Sequence, residues 1–284
     1  MIDLHCHTKI SDNSMTIEEV IGLARKNGVE VLSINDHDTT LGLAHAQRVG
    51  QEQGVQIIPG IEISGYDFER SRRVHILGFH VKPGHAAISA LCDPLIARRQ
   101  NASRQMVEQL IEAGYGITWE QVERYAEGGT GVYKQHIMHA LIDQGYTTSI
   151  YGELYRTLFA RGGQGTAPGA AYIPLAYLDA RDAVLAIREA GGVPVLAHPH
   201  QYDSWDMLPA LLDAGLAGIE VRHPTHGEAE EKKAMEIAER YGLIPTGGSD
   251  FHGLYGETDK FTIGSKNPGM HSVERLAAYA GEYL

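Results

Sequence analysis

Histidine and carboxylate residues cluster at both ends of this 284-residue chain, which contains 15 histidines. Residues 3–8 read DLHCHT, and residues 249–253 read SDFHG. His5 and His7 lie two apart in a short aliphatic segment, so on a β-strand both imidazoles point to the same face and can bind one metal ion. Imidazole and carboxylate ligands without thiolates are typical of catalytic Zn, Mn or Fe sites. This pattern predicts a hydrolytic centre with several metal ions.

Similar residues follow aliphatic segments in the middle of the chain. Residues 36–38 read DHD, residues 197–199 read AHP, and Glu62 and His75 lie in further β-branched segments. Each lies at or just after the end of a short β-branched or aliphatic run, where a strand is expected to meet a loop. Ligands on so many strand ends can converge only if the sheet closes on itself. We therefore expect the metal centre at one end of a barrel.

Strand and helix signals alternate along most of the chain, as they do in βαβ units. This alternation predicts an α/β fold with a parallel sheet, and the converging ligands favour a seven-stranded barrel over an open sheet. The predicted strands are residues 2–5, 31–34, 55–63, 74–81, 193–197, 219–221 and 244–247.

Residues 82–178 interrupt this alternation and are predicted to be mainly helical. We expect four helices there, and we interpret the segment as a helical insertion that caps the barrel mouth. The predicted organisation is therefore a barrel domain made of residues 1–81 and 179–284, which carries the metal centre, and an insertion domain made of residues 82–178.

The composition argues against several classes of protein. The chain has 24 basic and 36 acidic residues, a formal net charge of −12, which argues against stable binding of duplex nucleic acid by a basic surface. A small phosphorylated partner must therefore be bound by a few local cations. No run of about 18 apolar residues is present, so we expect no membrane span. Only two cysteines are present and the first residues are strand-like, which predicts a reducing, cytoplasmic location.

The order of these motifs resembles that of the PHP (polymerase and histidinol phosphatase) superfamily. The resemblance is carried by DLHCHT, SD at 11–12, DHDT at 36–39, PGIEI at 59–63, HILG at 75–78, AHP, and GSDFHG at 248–253. The insertion is also similar, since VYKQHI at 132–137 resembles a segment of the small PHP phosphoesterases, among them nucleoside 3′,5′-bisphosphate phosphatases. The resemblance implies a distorted (β/α)7 barrel that holds two or three divalent metal ions, Mn, Zn or Fe.

The resemblance also implies how the metal ligands are shared. The Glu62 carboxylate would bridge the first and second metal ions. His75 is preferred to His80 because it fits the family's His-x-Leu-Gly pattern, and Asp36 or Asp38 is expected to orient the imidazole between them. The implied ligands are His5, His7, Glu62 and Asp250 for the first metal, Glu62, His75 and His198 for the second, and Asp12, His37 and His252 for the third.

The residues that bind and protonate the substrate are predicted from their positions beside the family motifs. Lys134 lies where relatives often carry Arg, and it is expected to bind phosphate together with His136. Arg222, at the end of a strand, is expected to reach a second phosphate, the alternative being a surface salt bridge. His136 or His223 is expected to donate a proton to the leaving oxygen.

The leading interpretation is a metal-dependent phosphoesterase that acts on a small phosphorylated metabolite. A nucleoside 3′,5′-bisphosphate or a short oligonucleotide end would be attacked by a hydroxide that bridges two metal ions. A hydrolase of cyclic sugar or nucleotide phosphates is the nearest alternative, because three metal ions can open a diester and then hydrolyse the monoester. Histidinol phosphate is less favoured, because its phosphatases lack a similar insertion. The alternatives from other classes are an amidohydrolase and a polymerase-associated module, and the complete ligand set argues against the second.

Overall fold

The computed structural model of this chain describes residues 1–163, 165–256 and 260–282. The strands are β1 (Ile2–Asp3), β2 (Val31–Ile34), β3 (Gln56–Asp67), β4 (Arg72–Phe79), β5 (Leu178–Asp179), β6 (Val193–Leu196), β7 (Gly218–Arg222) and β8 (Ile244–Gly247). The α-helices are α1 (Ile17–Lys26), α2 (Leu43–Gln53), α3 (Ala86–Glu112), α4 (Trp119–Tyr125), α5 (Lys134–Asp143), α6 (Glu153–Leu158), α7 (Ala180–Glu189), α8 (Leu208–Ala214), α9 (Glu228–Tyr241) and α10 (Met270–Glu282).

The predicted seven-stranded barrel is confirmed. The strands follow the order β1-β2-β3-β4-β6-β7-β8, and the two-residue strand β5 pairs beside β3. The first and last strands approach each other, because the Leu4 N–H donates to the Gly247 carbonyl at 3.2 Å and Cys6 forms a parallel bridge with Phe251. The sheet is thus nearly closed, and the loops that follow β1, β2, β6 and β8 meet at one end.

The expectation that the barrel strands run parallel is wrong for β4. This strand is antiparallel to both of its neighbours, β3 and β6. Only residues 68–71 separate β3 from β4, and so short a connection joins antiparallel strands, whereas a parallel pair needs a crossover of a dozen residues or more. The hairpin also extends β3 beyond its predicted end to Asp67.

Capping residues and buried apolar faces determine where the outer helices begin and how they pack on the barrel. Before α1, the Thr16 hydroxyl accepts the Glu19 N–H while the Glu19 carboxylate accepts the Thr16 N–H, which forms a capping box. The face that carries Val20, Ile21 and Ala24 is fully buried against the barrel core. Among the described residues, no helix is both long and apolar enough to cross a membrane.

Helices α3 to α6 lie between β4 and β5 and build a second hydrophobic cluster. Its buried members include Val107 from α3, Val122 from α4 and Ile137 from α5. The first half of α3 packs differently, because Ile88 and Leu95 belong to the barrel cluster. The long helix α3 therefore connects the two cores, and the division of the chain at residue 82 stays a prediction.

Gly248 allows β8 to approach β1 closely. A Cβ atom at this position would lie 2.2 Å from the His5 backbone nitrogen and 2.4 Å from the His5 Cβ. We expect Gly248→Ala to separate these strands and to lower the free energy of unfolding by about 1–3 kcal/mol, as overpacking does elsewhere. Chemical denaturation measures this change. The matched control is Gly281→Ala in α10, where an added Cβ meets open space. Equal stability of the two variants would contradict the prediction.

Candidate metal centre

The structure brings all nine predicted metal ligands together at one end of the barrel. They come from β3, β4, the loops after β1, β2, β6 and β8, and the turn before α1, and eight of the nine are buried. They are His5, His7, Asp12, His37, Glu62, His75, His198, Asp250 and His252.

The Glu62 carboxylate lies at the centre of this cluster, and each of its oxygens faces a different set of imidazoles. Oε1 lies 2.8 Å from His75 Nδ1 and 2.8 Å from His198 Nε2. His75, the histidine that we prefer as a ligand on this strand, therefore contacts Glu62. The other histidine considered at this strand, His80, contributes no contact to this carboxylate.

The second oxygen of Glu62 faces the first ligand set. Oε2 lies 3.2 Å from His7 Nε2 and 3.3 Å from His5 Nε2 and from His37 Nδ1. Asp250 Oδ1 approaches the same pair, at 3.1 Å from His7 Nε2 and 3.3 Å from His5 Nε2. A carboxylate with different imidazoles at its two oxygens has the arrangement that is needed to bridge two cations.

A further group of ligand atoms surrounds Asp12. Its Oδ1 lies 3.3 Å from His252 Nε2, and its Oδ2 lies 3.9 Å from His37 Nε2. The Nδ1 atom of His7 is 3.8 Å from Asp12 Oδ1 and joins this group to the first one. The groups whose ligand atoms lie within 4.8 Å of one another are His5, His7, Glu62 and Asp250; His7, Asp12, His37 and His252; His37, Glu62 and His75; and His5, Glu220 and His223.

The arrangement of these residues is better suited to binding cations than to hydrogen bonding among themselves. His7 Nδ1 and Asp250 Oδ1 are buried and have no hydrogen-bond partner among the described residues, and buried polar atoms without partners are costly. In addition, His5 Nε2 and His7 Nε2 lie 3.3 Å apart. A cation satisfies several such lone pairs at once, and mixed imidazole and carboxylate donors suit Zn, Mn or Fe.

The electrostatics of the cluster keep its carboxylates ionised. Burial alone would raise the pKa of Glu62, but the surrounding imidazoles, foremost those of His37 and His75, lower it well below its ordinary value. For His7 the opposite holds, since burial would lower its pKa, whereas the carboxylates of Asp250 and Glu62 raise it to about 10. The site thus contains buried charges of both signs, and a bound cation would compete with the protonated imidazoles for the carboxylates.

Several residues at the site have strained backbone. Asp38, His198 and Asp250 have positive φ values of 59°, 22° and 49° although none is a glycine. Each such conformation costs about 1–3 kcal/mol and persists where the surrounding structure imposes it. Two of the three, His198 and Asp250, are predicted ligands. The strained backbone therefore lowers stability while it orients these side chains toward the cluster.

Glu220 is a central residue that the sequence analysis missed. This fully buried carboxylate lies on β7, with Oε1 3.0 Å from His5 Nδ1 and Oε2 accepting the His198 N–H at 2.8 Å. A proton held on His5 Nδ1 for this bond leaves Nε2 with a lone pair for a cation. Glu220 therefore positions one ligand of each of two predicted cation sites. An acidic residue between Ile219 and Val221 was the available signal.

We expect Glu220→Gln to weaken the binding of Mn²⁺ by about 10- to 100-fold, the usual effect of losing a group that orients metal ligands. Glutamine keeps the shape, but it has only one oxygen to replace the two that contact His5 and His198. Calorimetric titration with Mn²⁺ measures the affinity. The control is Glu236→Gln on the exposed face of α9. Unchanged affinity in Glu220→Gln would show that this carboxylate does not position the ligands.

A cavity of about 790 Å³ lies between the barrel end and the helices that follow β4. Its wall includes seven of the nine predicted ligands, so the cluster faces this space. The opposite side is formed partly by Tyr133, Tyr151 and Tyr155, which lie in or beside α5 and α6. A small molecule bound in the cavity would therefore touch both the metal ligands and the inserted helices.

The predicted phosphate-binding cations have different locations. Lys134 lines the cavity, with its Nζ 4.8 Å from the centre of the Phe159 ring, and burial lowers its pKa to about 8. Arg222 is exposed, does not line the cavity, and donates to the Asn267 carbonyl at 2.6 Å. A register shift between Glu220 and Arg222 turns the arginine away from the side that Glu220 faces.

The two predicted proton donors are both fully buried and do not line the cavity. His136 Nδ1 accepts the Tyr133 N–H at 3.0 Å and thereby caps the start of α5. His223 is closer to the cluster, with Nε2 3.3 Å from Asp250 Oδ2 and Nδ1 bonded to Thr225 at 2.8 Å. The structure thus brings His223, and not His136, into contact with a predicted ligand.

Three arginines in the cavity wall were also missed, namely Arg73, Arg99 and the exposed Arg161. Arg99 pairs with Asp38 at 2.6 Å and donates to Ser64 Oγ at 3.2 Å. Asp38 therefore accepts hydrogen bonds from Arg99 and from Ser64. Neither Asp38 nor Asp36 contacts the His37 imidazole, which one of them was expected to orient. Arg73 lies at the start of β4, in the β3–β4 hairpin that the sequence did not predict.

Comparison with known proteins identifies the family. The PHP domain family model matches residues 3–189. The chain is 46% identical over 254 residues to the phosphoribosyl 1,2-cyclic phosphate 1,2-diphosphodiesterase of Eggerthella lenta, covering 89% of this chain and 95% of that protein. It is 33% identical over 256 residues to the 3′,5′-nucleoside bisphosphate phosphatase of Chromobacterium violaceum, covering 88% and 87%. A structure assigned as a metal-dependent phosphoesterase of Bifidobacterium adolescentis superposes with a TM-score of 0.87 and 30% identity, over 98% of this chain and 95% of that one.

The resemblance inferred from the motifs is thereby confirmed. The matched region begins at Asp3, runs through β1 to β4 and the inserted helices, and ends with α7. The relatives extend the similarity over nearly nine-tenths of the chain. The chain belongs to the PHP domain family.

Proposed function

We propose that this protein hydrolyses a five-membered cyclic phosphate on a phosphorylated sugar, first by opening the diester and then by releasing phosphate from the monoester. The reaction class predicted from the sequence, metal-dependent hydrolysis of phosphoric esters, is confirmed by the relatives. The choice of substrate is supported by the relative at 46% identity, which is named for a phosphoribosyl 1,2-cyclic phosphate and is covered over 95% of its length.

The observation that carries the proposal is the position of Glu62 between two sets of imidazoles at the base of the cavity. Its two oxygens would hold neighbouring cations, with His75 and His198 on one side and His5 and His7 on the other. We propose that two or three divalent ions, Mn, Zn or Fe, bind here. Such ions would acidify a water molecule and neutralise phosphate oxygens during an in-line displacement.

The reaction requires two hydrolytic steps at one phosphorus atom. In the first, a water oxygen bonds to phosphorus while the bond from phosphorus to one sugar oxygen breaks, and that sugar oxygen takes up a proton. In the second, another water displaces the remaining sugar oxygen and inorganic phosphate is released. Of the two predicted proton donors we favour His223, because its Nε2 lies 3.3 Å from Asp250 Oδ2; since His223 does not line the cavity, its proton would reach the leaving oxygen through Asp250. His136 is bonded to the backbone at the start of α5 and is not assigned.

A nucleoside 3′,5′-bisphosphate is the second candidate substrate. One relative is named for that substrate. In the cavity wall, the rings of Tyr66 and Tyr177 stack with centroids 5.4 Å apart and planes inclined by 4°, a flat aromatic surface on which a base can lie. A cytoplasmic location, inferred from the cysteine content, stays part of this proposal.

A comparison of substrates by ³¹P NMR tests the function. We would incubate the Mn²⁺-loaded protein with phosphoribosyl 1,2-cyclic phosphate, a nucleoside 3′,5′-bisphosphate, histidinol phosphate and a short oligonucleotide. We expect the cyclic diester to have the largest kcat/KM and to give first a monoester and then inorganic phosphate. Faster hydrolysis of the bisphosphate would favour the second candidate. If every phosphate ester stays intact while an amide is cleaved, the protein is an amidohydrolase and the proposal is wrong.

A further inference from the structure

The proposed substrate carries a second phosphate, on the far side of its sugar, which the metal ligands cannot hold while the cyclic phosphate reacts. An acidic chain must bind that group with local cations. Arg222, the cation predicted for this role, is exposed and bonded to Asn267 outside the cavity. The second phosphate would therefore be bound by cations in the cavity wall that no carboxylate already neutralises.

Arg73 and Lys134 meet this condition. Both line the cavity, together with the exposed Arg161, and within the described parts of the chain no carboxylate pairs with Arg73 or Lys134. Lys134 lies over Phe159, with no neighbouring acid to neutralise it. The two positive charges are close enough for Arg73 to depress the pKa of Lys134 further, beyond the effect of burial. By contrast, Arg99 is neutralised by Asp38 at 2.6 Å.

The guanidinium of Arg73 is held in place by aromatic rings. Its central carbon lies 5.6 Å from the ring centres of both Tyr177 and Tyr202. The Tyr202 ring in turn lies 4.9 Å from the His75 ring and 5.5 Å from the His198 ring. The Tyr202 ring thus lies between the cation and two of the predicted metal ligands.

From this arrangement we propose that Arg73 and Lys134 form a subsite for the nonreacting phosphate monoester of the substrate. Arg73 provides a planar fork of N–H donors, and Lys134 provides a second charge from the start of α5. Tyr202 separates this subsite from the reacting phosphate. The inference rests on the proposed function for the identity of the sugar, but the ability to bind a sugar phosphate is independent of turnover.

Calorimetry with ribose 5-phosphate tests the subsite directly in the Mn²⁺-loaded protein, with ribose as the reference. We expect Arg73→Met and Lys134→Met each to weaken ribose 5-phosphate binding by about 10- to 100-fold, the effect of losing one charge-assisted contact. Arg73→Lys should restore part of the affinity. The matched controls are Arg48→Met and Lys26→Met, which lie on exposed faces of α2 and α1 and should bind like the wild type. Circular dichroism checks that each variant is folded.

The kinetic counterpart is the ratio of kcat/KM for phosphoribosyl 1,2-cyclic phosphate over ribose 1,2-cyclic phosphate. We expect this ratio to fall in Arg73→Met and Lys134→Met by a factor similar to the loss of affinity. If the proposed function is wrong, the cyclic ester is not turned over, yet the calorimetric difference remains. If ribose 5-phosphate binds Arg73→Met and Lys134→Met as tightly as Arg48→Met, the subsite does not exist, whatever the enzyme hydrolyses.

Discussion

Glu62→Gln is expected to lower phosphate release by more than about 1,000-fold, because even groups that merely orient metal ligands are worth 10- to 100-fold. Glutamine has almost the same volume, so the packing of β3 is retained. However, it removes the negative charge that faces five imidazoles and that would be shared between two cations. The loss should therefore appear in the metal content as well as in the rate.

Metal analysis and a phosphate-release assay on the same preparation measure both effects. The matched control is Glu52→Gln on the exposed face of α2, which should behave as the wild type. Asp250→Ala and His198→Ala should also abolish turnover while the barrel still folds, as circular dichroism would report. Retention of activity within tenfold in Glu62→Gln would remove this residue from the centre.

Removal of divalent ions should have the second large effect. A chelator is expected to abolish hydrolysis and to lower the thermal stability, because ions that bind only the folded chain stabilise it by about 4 kcal/mol at 1,000 times their Kd. For a chain of this size that corresponds to a fall in Tm of roughly 10 °C. The physical reason is local, since without cations the buried atoms His7 Nδ1 and Asp250 Oδ1 have no hydrogen-bond partner among the described residues.

Differential scanning calorimetry before and after chelation, followed by addition of Mn²⁺, measures the shift and its reversal. Addition of Mg²⁺ serves as the control, since its preference for oxygen ligands suits this imidazole-rich set poorly. Full activity and an unchanged Tm in the chelated protein would rule out a metal-dependent reaction.

The sequence was sufficient to predict the barrel and to name the residues that meet at its end. Strand periodicity gave the seven strands, and the carboxylates and imidazoles at their ends had to converge once the sheet closed. The pairing of His5 with His7 was predicted from strand geometry, but β1 ends at Asp3 and both residues lie in the loop that follows it. Their common neighbour, Glu62, was assigned by resemblance to the family.

The remainder depended on contacts that no local pattern encodes. The direction of β4 is set by a four-residue connection, and the turn of Arg222 away from the cavity is set by a register shift in β7. Glu220 contacts His5 from a position 215 residues away, and the cavity cations belong to segments that are far apart in sequence. Such pairs become visible only when the strands have been placed side by side.

The closure of the barrel also makes the predicted metal centre depend on both ends of the chain. The Ser249 N–H donates to the Asp3 carboxylate at 2.9 Å across 246 residues of sequence, and the same junction brings Asp250 to His5 and His7. A nascent polypeptide that has not yet emerged past β8 lacks the last ligands of two predicted cation sites. We therefore expect a chain that is terminated before β8 to bind fewer cations and to leave phosphate esters intact.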